Sequence, residues 1–584
     1  MNIMIMIFVP LLFALTLPLN SVRVRNLLTY FYILFLSFLA ISNFSLTETT
    51  TLNLNEVYHY TFKALDVVLL LFFAFVGLKY KSKMVTILAI VQLVLYLFIQ
   101  TFTPTLLSND IMSDKISSTM LLVINIVGGI IIIYALKYIE SEEFKDCKKN
   151  MFIAILFFFL AVMNLIVTTN NLEIFFLAFE LTTLCSYLLI RYREDEISIQ
   201  NALQALWMNQ IGGVAILIAI ILSLYYYNTL YLDLLLLLVD GKFILPLSFL
   251  VIASFVKGAS IPFEKWLLGA MVAPTPVSAI LHSATMVKIA PYLILKIAPA
   301  FSPLLALIVT FSGSFVFMSA SLMALSKDYF KEILGLSTIA LLALMMAIAS
   351  IGTEVAVNIV LILIVFHAIS KALLFLQAGI LEKVYHLKYL QDIDYLSSKS
   401  PLIVFFILVG FGSLTLPPFG AFLAKFASIE LLANLGKENI FYLFSLVFLL
   451  IGSVFLTLLY FKVVTKLLPK NKTMMVEKIA IPTTYKLTSF TLVFLLIVGI
   501  FFSFRFNILD FYEIVIPAIL IFIIPLLFYL LNFSNIKRTN EYNCGEKDEL
   551  ALSAYYFEIT PKVQKAIFYI SISLIISILV GGLV

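Results

Sequence analysis

Long apolar segments follow one another along almost the whole chain and are separated by short polar stretches. Each holds about 20 residues, the length that an α-helix needs to cross roughly 30 Å of hydrocarbon. Hydropathy therefore predicts an all-α polytopic membrane protein with about 18 transmembrane helices. The predicted spans are 2–19, 25–43, 61–80, 84–104, 117–137, 150–169, 171–190, 202–226, 242–270, 275–297, 301–326, 332–350, 355–383, 402–432, 439–466, 487–504, 512–532 and 564–584.

The basic residues test this count independently, because cytoplasmic loops collect Lys and Arg. Basic clusters fall on one side of the membrane if the count is right, whereas loops such as 45–60 and 226–240 are poor in basic residues. This pattern predicts that both termini lie on the non-cytoplasmic side. The clusters are Arg23 and Arg25; Lys79, Lys81 and Lys83; Lys145, Lys148 and Lys149; Arg191 and Arg193; Lys327 and Lys331; Lys383, Lys388 and Lys399; Lys466, Lys470 and Lys472; Lys537 and Arg538.

Composition agrees with a membrane protein and narrows the function. Hydrophobic residues make up 62% of the chain and charged residues 12%, whereas soluble domains carry about 25% charged residues. The net charge of +5 is small, which argues against nucleic-acid binding. Cys147, Cys185 and Cys544 are far apart, so we expect no disulfide framework, no metal site and no cofactor. We expect the apolar segment 1–19 to be a retained helix, because it lacks a basic leader and a small-residue cleavage site.

A few ionisable residues lie in the middle of apolar helices, where a charge is expensive. Glu180 lies in span 171–190, Lys257 lies in span 242–270 and Lys425 in span 402–432. His367 and Lys371 are four residues apart and so share one helix face. His282 lies in a helix that begins after the run Pro274-Thr275-Pro276.

Prolines interrupt two of these helices close to a lysine. Gly258 and Pro262 follow Lys257, and the run Pro417-Pro418-Phe419-Gly420 precedes Lys425. Proline removes a backbone donor, and unpaired backbone groups at membrane depth are tolerated only inside protein or beside a water-filled cavity. Paired interruptions about 170 residues apart point to an internal repeat with ion sites near the midplane.

These positions carry a resemblance to a known family. The runs 255–263 (FVKGASIPF) and 273–288 (APTPVSAILHSATMVK) closely resemble the antiporter-like proton- and sodium-translocating subunits of respiratory complex I, multisubunit cation/proton antiporters and membrane-bound energy-converting hydrogenases. The runs 367–375 (HAISKALLF) and 416–420 (LPPFG) are similar to further motifs of this family, in the same order along the chain.

The resemblance implies a fold and a set of roles. The expected core is two inverted five-helix repeats, each with one broken helix. Glu180 and Lys257 correspond to a Glu–Lys pair of the first channel, His282, His367 and Lys371 to a central hydrophilic axis, and Lys425 to the terminal exchange residue. The candidate ion-translocation residues are Glu180, Lys257, His282, Lys288, His367, Lys371 and Lys425, and the helix-break residues are Gly258, Pro262, Pro417, Pro418 and Gly420.

The chain also departs from the family pattern. Gln204, Gln210 and Gly213 stand where relatives often carry charged residues, so the accessory residues of the first channel differ. The expected division is 1–116 for extra N-terminal helices, 117–465 for the ion-translocation core, and 466–584 for a C-terminal extension with about three helices.

The expected function is movement of H⁺ and/or Na⁺ by a subunit of a redox-driven or antiporter complex in the plasma (inner) membrane of a prokaryote. The chain shows no redox machinery of its own. The energy is therefore expected to come from partner subunits or from an opposing ion gradient. The resemblance implies the partners: other membrane subunits, and hydrophilic subunits that resemble a NiFe-hydrogenase or a dehydrogenase. Two alternatives stay open: a free-standing secondary transporter of a small solute, and a structural subunit without transport. Locally, a single buried lysine could instead snorkel to the interface, and Glu180 could form a structural salt bridge with Lys257.

Overall fold

The computed structural model describes residues 2–17, 21–45, 49–239, 243–393, 396–467, 480–504 and 558–583, and within them the chain is almost entirely α-helical. In chain order the α-helices are α1 (Asn2–Thr16), α2 (Val22–Ser45), α3 (Glu56–Lys79), α4 (Lys83–Ile99), α5 (Lys115–Glu140), α6 (Asp146–Ile166), α7 (Leu172–Ile190), α8 (Glu196–Tyr227), α9 (Leu232–Leu238), α10 (Leu245–Lys257), α11 (Lys265–Gly269), α12 (Thr275–Ala279), α13 (Ile289–Ile297), α14 (Pro303–Leu325), α15 (Phe330–Ala349), α16 (Glu354–Val384), α17 (Leu396–Lys399), α18 (Pro401–Thr415), α19 (Gly420–Glu438), α20 (Phe441–Leu467), α21 (Thr483–Phe504) and α22 (Pro561–Leu583).

The predicted spans correspond to observed helices. Fourteen helical segments in the described ranges are long and apolar enough to cross a membrane, and α1, α4 and α10 are shorter apolar helices. Together they match every predicted span except 512–532, which lies outside the described residues. The prediction of a polytopic all-α membrane protein is therefore confirmed.

The helices differ sharply in how much protein surrounds them. In the most apolar stretch of α16, 100% of the residues are buried. In the corresponding stretches of α2 and α3, 33% of the residues are buried. The outer helices expose large apolar side chains such as Leu34, Val68 and Ile87, as lipid contact requires. Polar residues on the central helices are thus enclosed by protein.

The N-terminal helices pack against separate parts of the core. Helix α1 packs on α6 and α2 packs on α5, while α3 and α4 form a hairpin that covers α8 and part of α7. The two helices of the hairpin approach closely at Gly77, where a Cβ atom would overlap Thr86. This hairpin decides what surrounds Glu180.

A small layer of loops closes one end of the hairpin. Strand β1 (Thr50–Leu52) pairs antiparallel with β2 (Ile111–Ser113), with Thr50 opposite Ser113. Asp110, directly before β2, accepts hydrogen bonds from the Leu54 amide at 3.0 Å and from the Tyr231 hydroxyl at 3.3 Å. The start of α3 is therefore fixed against the core by a buried carboxylate.

Both predicted helix breaks are present. Helix α10 ends at Lys257 and α11 begins at Lys265, while α18 ends at Thr415 and α19 begins at Gly420. At the first break the Trp266 indole nitrogen donates to the Val256 carbonyl at 3.0 Å. A side chain thus replaces a backbone donor that the interrupted helix no longer supplies.

Candidate functional site

Glu180 lies on α7 with its carboxylate fully buried. The Gln92 side-chain nitrogen donates to Glu180 Oε1 at 2.8 Å and to the Gln210 carbonyl at 3.0 Å. Glycine at position 213 makes this arrangement possible, because a Cβ atom there would overlap both the Glu180 carboxylate and the Gln92 amide. The second oxygen, Glu180 Oε2, has no hydrogen-bond partner within the described part of the chain.

Lys257 ends the first half of the broken helix and is fully buried. Its Nζ donates to the Phe179 carbonyl at 3.1 Å and to Thr183 Oγ1 at 3.0 Å, and it lies 3.7 Å from the centroid of the Phe179 ring. Neutral oxygens and an aromatic face therefore hold the ammonium group.

Glu180 and Lys257 do not form an ion pair in this structure. No salt bridge within 4.0 Å joins them, although Lys257 contacts the residues on either side of Glu180 along α7. The alternative of a permanent structural salt bridge is therefore not observed. Lys257 nevertheless contacts the stretch of α7 that carries Glu180, because it donates to Phe179 and Thr183.

His282 lies in a π-helical turn, Ile280–Ala284, between α12 and α13. Such turns interrupt the regular helix and often occur at functional sites. The ring contacts Phe375, with 4.8 Å between centroids, and lies near Gly335 of α15. Neither ring nitrogen of His282 has a hydrogen-bond partner among the residues described.

Lys288 and His367 form a close pair, with 2.5 Å between Lys288 Nζ and His367 Nδ1. Both groups are fully enclosed. A hydrogen bond between these two basic groups needs one donor and one lone pair, so one of the two facing nitrogens carries a hydrogen and the other does not. Lys371, one turn further along α16, donates to Ser337 Oγ at 2.5 Å and to the Leu334 carbonyl at 3.0 Å.

Lys425 lies in α19, after the second break, and is 5% exposed. Its helix packs on α16 at Gly420, where a Cβ atom would overlap the ring of Phe366, the neighbour of His367. The structure gives Lys425 neither a hydrogen bond nor an ion pair with any described residue.

The structure therefore arranges the candidate residues along a series of touching helices. Lys257 contacts α7, α10 packs on α13, α13 on α15, α15 on α16, and α16 on α19. None of the three lysines points to lipid, because Lys257 and Lys371 are 0% exposed and Lys425 is 5% exposed. The alternative in which these lysines snorkel to the interface is not observed.

Two polar residues of the α3–α4 hairpin, Gln92 and Asp66, are not among the candidates named from the sequence. Gln92 was missed because an isolated glutamine in an apolar helix carries no sign of which neighbour it faces. Asp66, by contrast, is a carboxylate inside span 61–80 and near the middle of the observed helix α3, so the rule that selected Glu180 would have found it. In the structure Asp66 is 1% exposed.

Within the described ranges, no set of three or more His, Cys, Asp and Glu side chains is arranged to hold a metal ion. Cys147 is exposed and Cys185 is buried, and both are free thiols.

Two family models match the sequence. Residues 169–455 match the model described as "NADH:quinone oxidoreductase/Mrp antiporter, TM", and residues 103–146 match "NADH-Ubiquinone oxidoreductase (complex I), chain 5 N-terminus". Together they cover more than half of the chain, and every candidate ion-translocation residue lies within the first match.

Curated relatives give the same picture. The chain is 29% identical over 373 residues to the Na(+)/H(+) antiporter subunit A1 of Staphylococcus haemolyticus, and the alignment covers 59% of this chain and 46% of that protein. It is 30% identical over 374 residues to the protein of the same name from Staphylococcus aureus (strain MRSA252), with the same coverage. The chain thus spans less than half the length of these relatives.

A solved structure shares the fold. A chain of the membrane-bound sulfane sulfur reductase, an archaeal respiratory membrane complex, superimposes with a TM-score of 0.62 at 20% sequence identity. The superposition covers 76% of this chain and 96% of that one.

Proposed function

This chain belongs to the family of antiporter-like membrane subunits, and on that premise we propose that it moves H⁺ and/or Na⁺ across the membrane within a multisubunit complex. The proposed ion-carrying groups are Glu180, Lys257, His282, Lys288, His367, Lys371 and Lys425. The proposed flexible points are the two breaks, with Gly258 and Pro262 in one and Pro417, Pro418 and Gly420 in the other.

The observation that carries the proposal is the enclosure of Lys257, Lys371 and Lys425 without a bound counter-charge. Burial without a partner disfavours the charged form of a lysine, so its proton becomes exchangeable. A structural role would be served better by apolar side chains of similar volume. Three such lysines on helices that touch in series support a role in transport.

The Glu180–Lys257 pair supplies a switch in this proposal. When the two side chains approach, the carboxylate favours the protonated lysine; when they separate, as in this structure, Lys257 releases its proton towards Lys288 and His367. The Coulomb energy of such a pair is about 4 kcal/mol at 4 Å with an effective dielectric constant near 20. Moving one charge against 100 mV requires about 2.3 kcal/mol, so the interaction energy of one pair is comparable with the work of moving one ion.

The driving energy comes from partners in this account, because the sequence shows no redox motif in the chain itself. We propose other membrane subunits as direct neighbours and hydrophilic redox subunits, NiFe-hydrogenase-like or dehydrogenase-like, as the energy source. The complex lies in the plasma membrane of a prokaryote with both termini on the non-cytoplasmic side. Residues 117–465 form the transporting core, and 1–116 and 466–584 are additions to it.

Replacing Lys257 or Glu180 by alanine tests the proposal. We expect both variants to insert normally but to lose coupled ion movement in membrane vesicles that contain the whole complex, measured with a pH-sensitive dye and with ²²Na⁺. Lys265→Ala is the matched control, because Lys265 lies across the same helix break and is exposed. Full transport by both Lys257→Ala and Glu180→Ala would refute the assignment.

Purification distinguishes the remaining alternatives. A free-standing transporter would be isolated alone and would move ions without partners, whereas the proposal predicts co-purification with further membrane and hydrophilic subunits. A structural subunit would give a complex whose ion flux does not depend on Lys257.

A further inference from the structure

A cavity of about 420 Å³ lies where the α3–α4 hairpin meets the core, at the end of the molecule closed by β1 and β2. Its lining combines loop residues with the outer ends of α3, α4 and α7. The polar side chains that line it include His59, Lys63, Gln100, Asp110 and Glu173. This end is the one that the basic-residue pattern predicts to be non-cytoplasmic.

Glu173 forms the floor of this cavity. Gln100 donates to Glu173 Oε1 at 2.5 Å, and Lys63 Nζ lies 4.0 Å from Glu173 Oε2. The Tyr96 hydroxyl also donates to Glu173 Oε1, at 3.3 Å. The carboxylate thus faces the cavity on one side and the interior of the hairpin on the other.

Asp66 lies deeper, on α3, with 1% of its surface exposed. Its carboxylate is close to Tyr96, the residue whose hydroxyl donates to Glu173 Oε1. Asp66 Oδ1 has no hydrogen-bond partner among the described residues. An unpaired carboxylate oxygen inside a transmembrane hairpin is costly unless an ion or proton occupies it.

Helical spacing connects the group formed by Glu173, Tyr96 and Asp66 to Glu180. Gln92 and Tyr96 lie four residues apart on α4, and Gln100 follows four residues later at the C-cap, so the three share one face. Glu173 and Glu180 are seven residues apart on α7, which places them on one face about 10 Å apart along the helix axis. Gln92 reaches Glu180, and Tyr96 and Gln100 reach Glu173.

The rest of α4 argues against a general polar surface. Ile87, Ile90, Val94 and Leu97 are exposed apolar residues, as expected for contact with lipid. Gln92 and Tyr96 instead lie among the buried residues of α4, on the side turned away from these exposed positions. A hairpin that only covered the core would pack there with apolar side chains.

We propose that the α3–α4 hairpin builds an access pathway for a monovalent cation, H⁺ or Na⁺, from the cavity through Glu173 and Asp66 to Glu180. This inference rests on the proposed ion transport. It adds the side of the membrane from which the cation reaches Glu180. Both cations bind to oxygen lone pairs. The pathway offers such oxygens on its carboxylates, on the Tyr96 hydroxyl and on the Gln92 and Gln100 carboxamides. A proton leaves one carboxyl oxygen as it joins the next, so no other reactant is needed.

Cysteine labelling tests the pathway without any transport measurement. Asp66→Cys and Gln100→Cys are made singly in the full chain within its complex, with Cys147, Cys185 and Cys544 replaced by serine. A membrane-impermeant methanethiosulfonate and Ag⁺ are added separately to each side of the membrane. We expect both positions to react with Ag⁺ from the cavity side only, while Ile90→Cys, which faces lipid on the same hairpin, stays unreacted. An Asp66→Cys variant that is correctly assembled but protected from Ag⁺ on both sides would overturn the pathway.

Transport by Asp66 variants gives the second readout. We expect Asp66→Asn to lower ion flux at least about tenfold and Asp66→Glu to retain most of it. Glu196→Gln, an exposed carboxylate at the start of α8 that does not line the cavity, should leave flux unchanged. Flux assays with and without Na⁺ separate the two cations. If Asp66→Asn shows normal flux while Lys257→Ala is inactive, the pathway is overturned and the proposed function stands. If Lys257→Ala shows normal flux, the proposed function is refuted. Cysteine labelling would then still decide whether the pathway exists.

Discussion

The two broken helices hold their lysines in different ways. Lys257 lies directly before the first break, where the Phe179 carbonyl and Thr183 hydroxyl bind it and a carboxylate, Glu180, lies on the same stretch of α7. Lys425 lies after the second break, five residues into α19, and within the described residues it has no carboxylate or hydroxyl bound to it.

Because different groups surround Lys257 and Lys425, we expect the two regions to have different roles in ion transport. In the first, a proton on Lys257 is favoured or disfavoured by the position of a carboxylate, so the region can respond to charge movement elsewhere. In the second, none of the described residues is bound to Lys425, which suits release of a proton to one side. Among the helices described, the α3–α4 hairpin packs on α7 and α8, which belong to the first region.

The largest effect in the second region is expected at Lys425. Lys425→Ala removes the exchangeable group at the end of the line, so coupled ion flux should fall at least about tenfold, equivalent to a barrier increase of ~1.4 kcal/mol. Vesicle flux assays measure it. Lys437→Ala, an exposed lysine on the same helix, should transport normally. If Lys425→Ala and Lys437→Ala behave alike, the second region does not carry ions.

In the first region, Gly213→Ala should disturb the contact between the hairpin and Glu180. Its methyl group would overlap the Glu180 carboxylate and the Gln92 amide, and overpacking of this kind costs about 1–3 kcal/mol. We expect lower thermal stability in detergent and reduced flux, both partly restored by adding Gln92→Ala. Gly412→Ala is the matched control, because a Cβ atom at position 412 would lie 3.9 Å from its nearest neighbour, a side-chain carbon of Leu416. Unchanged stability of Gly213→Ala would show that the carboxylate and the amide are not held together.

A smaller effect is expected at the first break itself. Trp266→Phe removes the hydrogen bond to the Val256 carbonyl and should lower the free energy of unfolding by about 1–3 kcal/mol, with transport retained. Scanning fluorimetry of the purified complex compares it with Trp207→Phe, the partly buried tryptophan of α8. Equal destabilisation by the two substitutions would mean that the indole does not support the break.

Much of this arrangement could be predicted from the sequence. Apolar segments of sufficient length define the helices, prolines at 262 and 417–418 mark the breaks, and lysines inside apolar spans stand out because their burial is costly. The packing of the hairpin on Glu180 could not be predicted, since a helix that is apolar on most faces has no periodicity to identify its neighbour. The separation of Glu180 from Lys257 also depends on side-chain positions that spacing does not determine.

The most direct test of ion transport by the buried lysines is the number of ions moved per turnover in purified complex reconstituted into liposomes. Wild-type and Lys257→Ala complexes are driven by the same reaction or gradient, and the internal pH and Na⁺ content are followed together with turnover. The account predicts that Lys257→Ala keeps the complex assembled but moves no ions. An unchanged ratio of ions to turnovers in Lys257→Ala would contradict it.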